Sequence, residues 1–422
     1  MSDFTRLEPL ITHFIIEKRT CYGHISRMQA FIARPELLDR IMSGLASSPV
    51  TALLGPRQCG KTTIARDIAS QHSGAYFDLE NPRDQARLQN AQTILESING
   101  LIVLDEIQHQ PELMPLLRVL SDRQPLPARF LILGSASPTL MKGCSETLAG
   151  RVHFVDMSGF SMEETGTGQT DALWLRGGFP DSFLAANDAA SLKWRDDFIQ
   201  TFLERDLPLL GIGAPSQTLR RFWTMTAHYH GQTWNGTEIG ASLGVSHQTS
   251  RRYVDSLTDA FVLRQLQPWF ENTGKRVVKS QKVYVRDSGL LHALLGILDL
   301  PSLQSHPKLG ASWEGFVIEQ ILNWAGERNA YFWATHSRVE LDLMVLSKGK
   351  RWGFEIKYQD APKITKSMRI AMEYLQLERL WVVFPGQVGY PMDDKIECIP
   401  LAQLKNVRQT ILDFQSTNGV ST

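Results

Sequence analysis

The chain has 422 residues, 43% hydrophobic and 21% charged, with 44 Lys plus Arg matched by 44 Asp plus Glu. That length suits two to four domains of roughly 100–200 residues each, and the composition is that of a globular protein. Zero net charge excludes a simple nucleic-acid coat, although a local basic patch can still hold phosphate. The four cysteines (Cys21, Cys59, Cys144, Cys398) lack paired metal-ligand spacing and read as free thiols of a reducing compartment. No apolar run reaches the ~18 residues that span a bilayer. The opening MSDFTRLEPLITHFIIEKRT has no basic leader or small-residue cleavage site, so a cytoplasmic protein with no membrane partner is expected.

Residues 1–27 form an extension ahead of MQAFIARPELLDRI. The run VTALLG (50–55) then reads as a β-strand, and KTTIARDIASQH, with Ile64 and Ile68 at helical spacing, reads as a helix. Between them GPRQCGKT fits the phosphate-loop pattern G-x-x-x-x-G-K-[ST]. Strand, glycine loop and helix together make an anion cradle. Its expected nucleotide-binding residues are Gly55, Pro56, Arg57, Gln58, Cys59, Gly60, Lys61, Thr62 and Thr63. Lys61 reaches toward the β- and γ-phosphates of ATP, and the Thr62 hydroxyl goes to Mg²⁺.

The second half of such a site is an apolar strand ending in a carboxylate. GLIVLDEIQ supplies it, placing Asp105 for Mg²⁺ and Glu106 for the attacking water. A further strand, RFLILGSAS, ends in small polar residues, and Ser135 or Ser137 is placed to hold that water or sense the γ-phosphate. A helical stretch follows and ends in Arg151, directly before the strand VHFVDM.

This order resembles the AAA-type ATPases, and in particular a bacterial and archaeal group that shares blocks like GPRQCGKTT, YFDLENPRD, LIVLDEIQ, LILGSAS, LAGRV, RGGFPD and FLERDLP. The resemblance implies an ATPase core (28–160) and a helical lid (161–225). It also implies a homo-oligomer in which Arg151 acts as an arginine finger on a neighbouring subunit. The plainer alternative for Arg151 is a helix-ending cation. In the lid, Trp194, Phe198 and Phe202 share one stripe. Arg176, Glu204, Arg205 and Asp206 either contact nucleotide or a neighbour, or form a surface ion-pair cluster.

Residues 226–286 read as a winged helix-turn-helix. TEIGASL, a Gly-Val-Ser turn and a helix from His247 put Val254 and Leu257 inward, with His247, Gln248, Ser250 and Arg251 on or near the exposed face. A hairpin around 272–275 carries Lys275, Arg276, Lys279 and Lys282, enough cations to touch several phosphates of DNA. Protein contact alone is the other reading, since fold does not fix function.

The last third (287–422) holds a second chemical pattern. GASWEGFVIEQILNWA is an amphipathic helix with Glu314 and Glu319, and a hairpin follows with Asp342 on one strand and Glu355-Ile356-Lys357 ending the other. Alternation puts Glu355 and Lys357 on one face. Two carboxylates and a lysine at paired strand tips can hold Mg²⁺ and orient a water on a phosphodiester. The pattern matches D…(D/E)-x-K of restriction-endonuclease-like enzymes and looks most like Holliday-junction resolvases, where a first-helix glutamate, here Glu314, joins the metal site. Glu319 and Glu340 are expected on the surface, and Thr335–Ser337 either touch phosphate or make a turn.

The expected architecture is therefore α/β: a P-loop AAA-type core, a helical lid, a winged helix-turn-helix and a C-terminal α/β PD-(D/E)XK-like domain. The expected function is an Mg-dependent ATPase that binds, remodels or cleaves DNA, duplex or branched. The alternative is a nucleotide-operated switch whose nuclease-like domain only binds DNA or protein.

Overall fold

The computed structural model describes residues 32–135, 146–209, 212–271 and 277–414. Met28, Cys21, Ser137, Cys144, Lys275 and Arg276 lie outside them. The chain divides into two compact units. The first comprises described residues up to Leu54, Lys61–Gly134, and 146–156; the second holds Gly55–Gly60, Ser135 and the described residues from Met157 on.

The first unit is built on five strands: β1 (Val50–Leu54), β2 (Gly74–Asp78), β3 (Gly100–Asp105), β4 (Ala128–Gly134) and β5 (Val152–Asp156). They lie in the order β2-β3-β4-β1-β5, and every neighbouring pair is parallel. All five residues of β1 are buried, as a continuous apolar run requires when both faces of a parallel sheet are covered. Because the strands are parallel, Leu54 and Asp105 come out at the same edge of the sheet, the edge where ligands bind in open α/β folds. Six residues, Gly55–Gly60, separate the end of β1 from helix Lys61–Ser70.

In the second unit, helix Asp188–Thr201 runs into a π-helical turn at Phe202–Asp206. Trp194 stacks on Phe198 and Phe198 on Phe202, with ring centroids 5.3 and 6.0 Å apart. Helices Gly236–Leu243 and His247–Asp259 are joined by a short turn in which Gly244 takes φ +69°. Val254 and Leu257 are buried. Ser250 is buried too, against the expectation from helical spacing, because its hydroxyl donates to the Gly236 carbonyl at 2.8 Å and pins the two helices together.

The remaining strands are β6 (Gln232–Thr233), β7 (Leu263–Pro268), β8 (Lys282–Val285), β9 (Ala330–Ala334), β10 (Glu340–Ser347), β11 (Lys350–Ile356), β12 (Arg379–Phe384), β13 (Tyr390–Asp393) and β14 (Ile396–Pro400). They form one sheet ordered β13-β14-β12-β11-β10-β9-β7-β8-β6. The join is parallel pairing of β7 with β9, Gln267 opposite Tyr331 and Pro268 opposite Phe332. One hydrogen-bonded sheet thus runs through segments 226–286 and 287–422, which the sequence separates. Helix Leu309–Ala325 buries Trp313, Phe316, Val317, Ile318 and Ile321.

Candidate functional site

In the first unit, the end of β3 meets the start of helix Lys61–Ser70. Asp105 is 2% exposed, yet its carboxylate is well supplied with donors. The Thr62 hydroxyl donates to Asp105 Oδ2 at 2.7 Å, and the Tyr76 hydroxyl of β2 donates to the same oxygen. Burial first, and then Asp105, push the Tyr76 phenol well above its ordinary range, so it remains a donor. Lys61 is buried at the first turn of the helix. Glu106 follows in a left-handed conformation, φ +55°, which swings its side chain out of the strand direction, and Gln108 Nε2 donates to its Oε2. Thr62 and Asp105 form a hard oxygen pair suited to Mg²⁺.

The loop itself is packed by residues of the second unit. A Cβ on Gly55 would meet the Met157 carbonyl oxygen at 2.1 Å, so only glycine fits. Gly60 takes φ +98°, open to glycine alone. Gln58 is exposed and also left-handed, at φ +61°. Arg57 is held by Asp206, Nη1 to Oδ1 at 2.7 Å, with side chains only 19% and 12% exposed. Cys59 is fully buried, and Pro56 lines a pocket with Phe160, Phe179, Phe261 and Phe316. Thr63 is exposed, and Ser135 directly follows β4. Arg151, in the turn before β5, makes a bidentate pair with Asp122 at 2.6 and 3.0 Å on the exposed surface.

The second cluster is assembled by the β10–β11 pairing. Asp342 and Glu355 lie across from each other one residue beyond the Leu343–Phe354 rung, so their carboxylates converge, both about 3% exposed. Asp342 Oδ2 accepts the Ile356 N–H at 2.8 Å. Lys357 Nζ lies 2.7 Å from Glu355 Oε1 and 3.8 Å from Asp342 Oδ2. Burial, then Asp342, push the Glu355 carboxyl up to about 8. Burial opposes the charge on Lys357, but Asp342 and Glu355 outweigh it and hold the ammonium above its usual range. Glu355 Oε2 is buried without a hydrogen-bond partner. Two crowded hard carboxylates with an orphaned oxygen are the donor chemistry that a divalent cation satisfies.

Glu314 does not complete that set directly. Its Oε1 accepts from Tyr284 at 2.6 Å and lies 3.3 Å from the buried Lys282 ammonium. Among the described residues, no three His, Cys, Asp or Glu side chains are arranged to hold one metal ion. Lys282 was expected beside DNA phosphates; the structure instead turns it inward, 4% exposed, to neutralise Glu314. Sequence reasoning missed Lys282 and Tyr284 as members of this centre. The period-2 alternation of KVYV, which puts both on one face of β8, was the available signal.

Glu319 is likewise not a surface group. It is buried in a bidentate pair with Arg264. Glu340 is exposed, 3.8 Å from Lys282. Thr335 and Ser337 bond to each other in a turn closed by Val339. His247, Gln248, Arg251 and Lys279 are all exposed, with Arg251 paired to Asp255 at 3.2 Å. Cys59 and Cys398 are buried free thiols. No helix among the described residues is long and apolar enough to cross a membrane.

Residues 47–166 match an AAA domain, while 167–300 and 309–404 each match a domain of unknown function (DUF8612 and DUF4143). The uncharacterized proteins Mb2031c of Mycobacterium bovis and Rv2008c of Mycobacterium tuberculosis are each 50% identical to this chain over 373 residues, covering 88% of it and 85% of theirs. The chain belongs to their family. The Walker-type ATPase PABY2304 of Pyrococcus abyssi is a distant structural neighbour, with 15% identity, 65% of this chain and 98% of that one covered, and a TM-score of 0.46. Within the family's AAA domain, Thr62 and Asp105 are the meeting point of phosphate loop and acidic strand.

Proposed function

We propose that this chain is an Mg-dependent ATPase that acts on DNA, using ATP hydrolysis to bind, remodel or cleave duplex or branched DNA. The observation that carries the reading is the Thr62–Asp105 contact next to buried Lys61, at the carboxyl edge of a parallel sheet. Lys61 supplies a cation for the β- and γ-phosphates. Thr62 and Asp105 would hold Mg²⁺, which would neutralise charge developing on the transferred phosphoryl group. Glu106, turned out of the strand, orients the attacking water, with Ser135 a second candidate for holding it. Arg151, on an exposed surface, suits a contribution to a second copy in a homo-oligomer, for which it must leave Asp122. Exposed His247, Gln248, Arg251 and Lys279 are offered as the DNA face of a winged helix; Lys275 and Arg276, expected from the sequence to join them, lie outside the described residues.

The acidic centre extends the reading. Asp342 and Glu355 are the carboxylates for a divalent cation, with Lys357 poised to stabilise charge on a phosphodiester and Glu314 one step removed. A second reading draws on that last feature. Glu314, held by Lys282 and Tyr284 rather than turned to the Asp342–Glu355 pair, favours a nuclease-like domain that docks DNA or protein in a nucleotide-operated switch.

The test is purified protein with ATP, Mg²⁺ and linear, forked and four-way DNAs, following phosphate release and strand scission together. DNA-stimulated turnover that drops at least ~100-fold in Glu106→Gln supports the ATPase assignment. An unchanged rate in that variant removes Glu106 as the residue that orients the water, and a parent that releases no phosphate removes the ATPase assignment. Scission lost in Asp342→Ala supports cleavage; tight nucleotide binding with slow turnover and intact DNA supports the switch.

A further inference from the structure

The phosphate loop has a feature that its motif does not require. Gln58 sits at φ +61°, a region that only a few per cent of non-glycine residues occupy and that persists only where the surroundings over-determine it. The residue on its N-terminal side is tied down: Arg57 Nη1 lies 2.7 Å from Asp206 Oδ1, and both side chains are largely buried. The residue on its other side, Cys59, is fully buried. Asp206 is the last residue of the π-helical turn Phe202–Asp206, and such single π-turns within helices occur frequently at functional sites. The Phe198–Phe202 stack fixes the start of that turn. A charge-assisted bond of this kind is roughly twice as strong as a neutral one and is little screened when its partners are largely buried.

We propose that Asp206 is the positioning residue of the phosphate loop. Through Arg57 it holds the left-handed backbone at Gln58 and so keeps the loop in its nucleotide-receptive shape. The inference rests on the nucleotide-site reading above. Asp206 does not touch nucleotide; it acts through Arg57. The strain and the tether are two halves of one device, so the cost of losing the tether depends on whether residue 58 resists its conformation.

That dependence gives the experiment. Calorimetric titration of the full chain with Mg²⁺ and the non-hydrolysable analogue AMP-PNP compares the parent with Asp206→Ala, Gln58→Gly and the double variant. Asp206→Ala is expected to weaken binding about tenfold, raising KM for ATP while kcat at saturation stays within about a factor of two. In the Gln58→Gly background, where φ +61° is unstrained, the same substitution is expected to cost only about two- to threefold. Asp206→Glu should recover most of the loss. Asp206→Ala should cost nothing further in Arg57→Ala, a pair that reads the same coupling without residue 58. Parent-like binding by Asp206→Ala, or an equal loss with and without Gln58→Gly, overturns the inference and leaves the nucleotide site standing. A parent that does not bind AMP-PNP overturns both.

Discussion

The buried ion pair between Arg264 and Glu319 is the sharpest test of how the second unit holds together. Arg264 is 3% exposed and Glu319 10% exposed at the side chain. Besides Glu319, Arg264 has Glu327 at 2.8 Å, but Glu327 is 51% exposed and well solvated. Arg286 Nε lies 3.5 Å from Glu319 Oε2. Glu319→Ala therefore strands one guanidinium in the interior and removes the anion facing a second. Breaking a buried pair from one side costs about 3–5 kcal/mol. For a unit of this size each kcal/mol moves the midpoint by roughly 2–4 °C, so the second unit's calorimetric transition should fall by about 10 °C. Replacing both partners, Arg264→Met with Glu319→Leu, should recover most of that, because the desolvation of two charges is relieved together. Burial opposes ionisation of Glu319, but Arg264 outweighs it and holds the carboxyl below its ordinary 4.5. The pair's contribution is therefore complete above about pH 4.5 and fades only as pH falls through the lower folded value. A single variant within ~1 kcal/mol of the parent, the range of an exposed pair, would refute the reasoning. So would a double variant less stable than the single one.

Gly55→Ala should abolish AMP-PNP binding in the same titration while leaving the acidic centre intact, because the new Cβ meets a backbone oxygen at 2.1 Å that no rotamer change relieves; parent-like affinity would contradict it. Burial lowers the His230 imidazole to about 3 from 6.5, so its contribution is full above pH 6.5 and lost as pH falls toward 3. At pH 5 this amounts to ~2 kcal/mol, and urea denaturation should show the parent losing that much more between pH 7 and 5 than His230→Asn, which keeps an acceptor for the Val285 N–H. Equal losses would refute it. Lys282→Met should destabilise the protein by leaving Glu314 without its cation, and a cycle with Glu314→Gln should return a coupling of about 1–3 kcal/mol; additive effects in thermal unfolding would show that the contact is idle.

Much of both candidate sites was legible from neighbouring residues alone. The glycine loop between an apolar strand and a helix announces itself by spacing, and four apolar residues carry β3 straight into Asp105. The Asp342 and Glu355-x-Lys357 pattern needed only the period-2 rule and a short turn at 348–349 to bring its side chains together. What stayed hidden was every partner brought in from afar. Glu319 and Lys282 read as surface groups because charged residues mostly are. They are buried because β7 and β8 pass beside helix Leu309–Ala325 with Arg264 and Glu314 facing them.

By itself the sequence determined the chemistry on offer: a phosphate loop, an acidic strand end, and two carboxylates with a lysine on a hairpin. All of these lie within local reach of backbone periodicity. Only the tertiary structure decided which charges neutralise which. Asp206 reaches Arg57 across 149 residues, and Tyr284 reaches Glu314 across 30. Burying a charge is tolerable only where folding supplies its partner, and that supply is set by long-range strand pairing and helix packing, which leave no period in the chain.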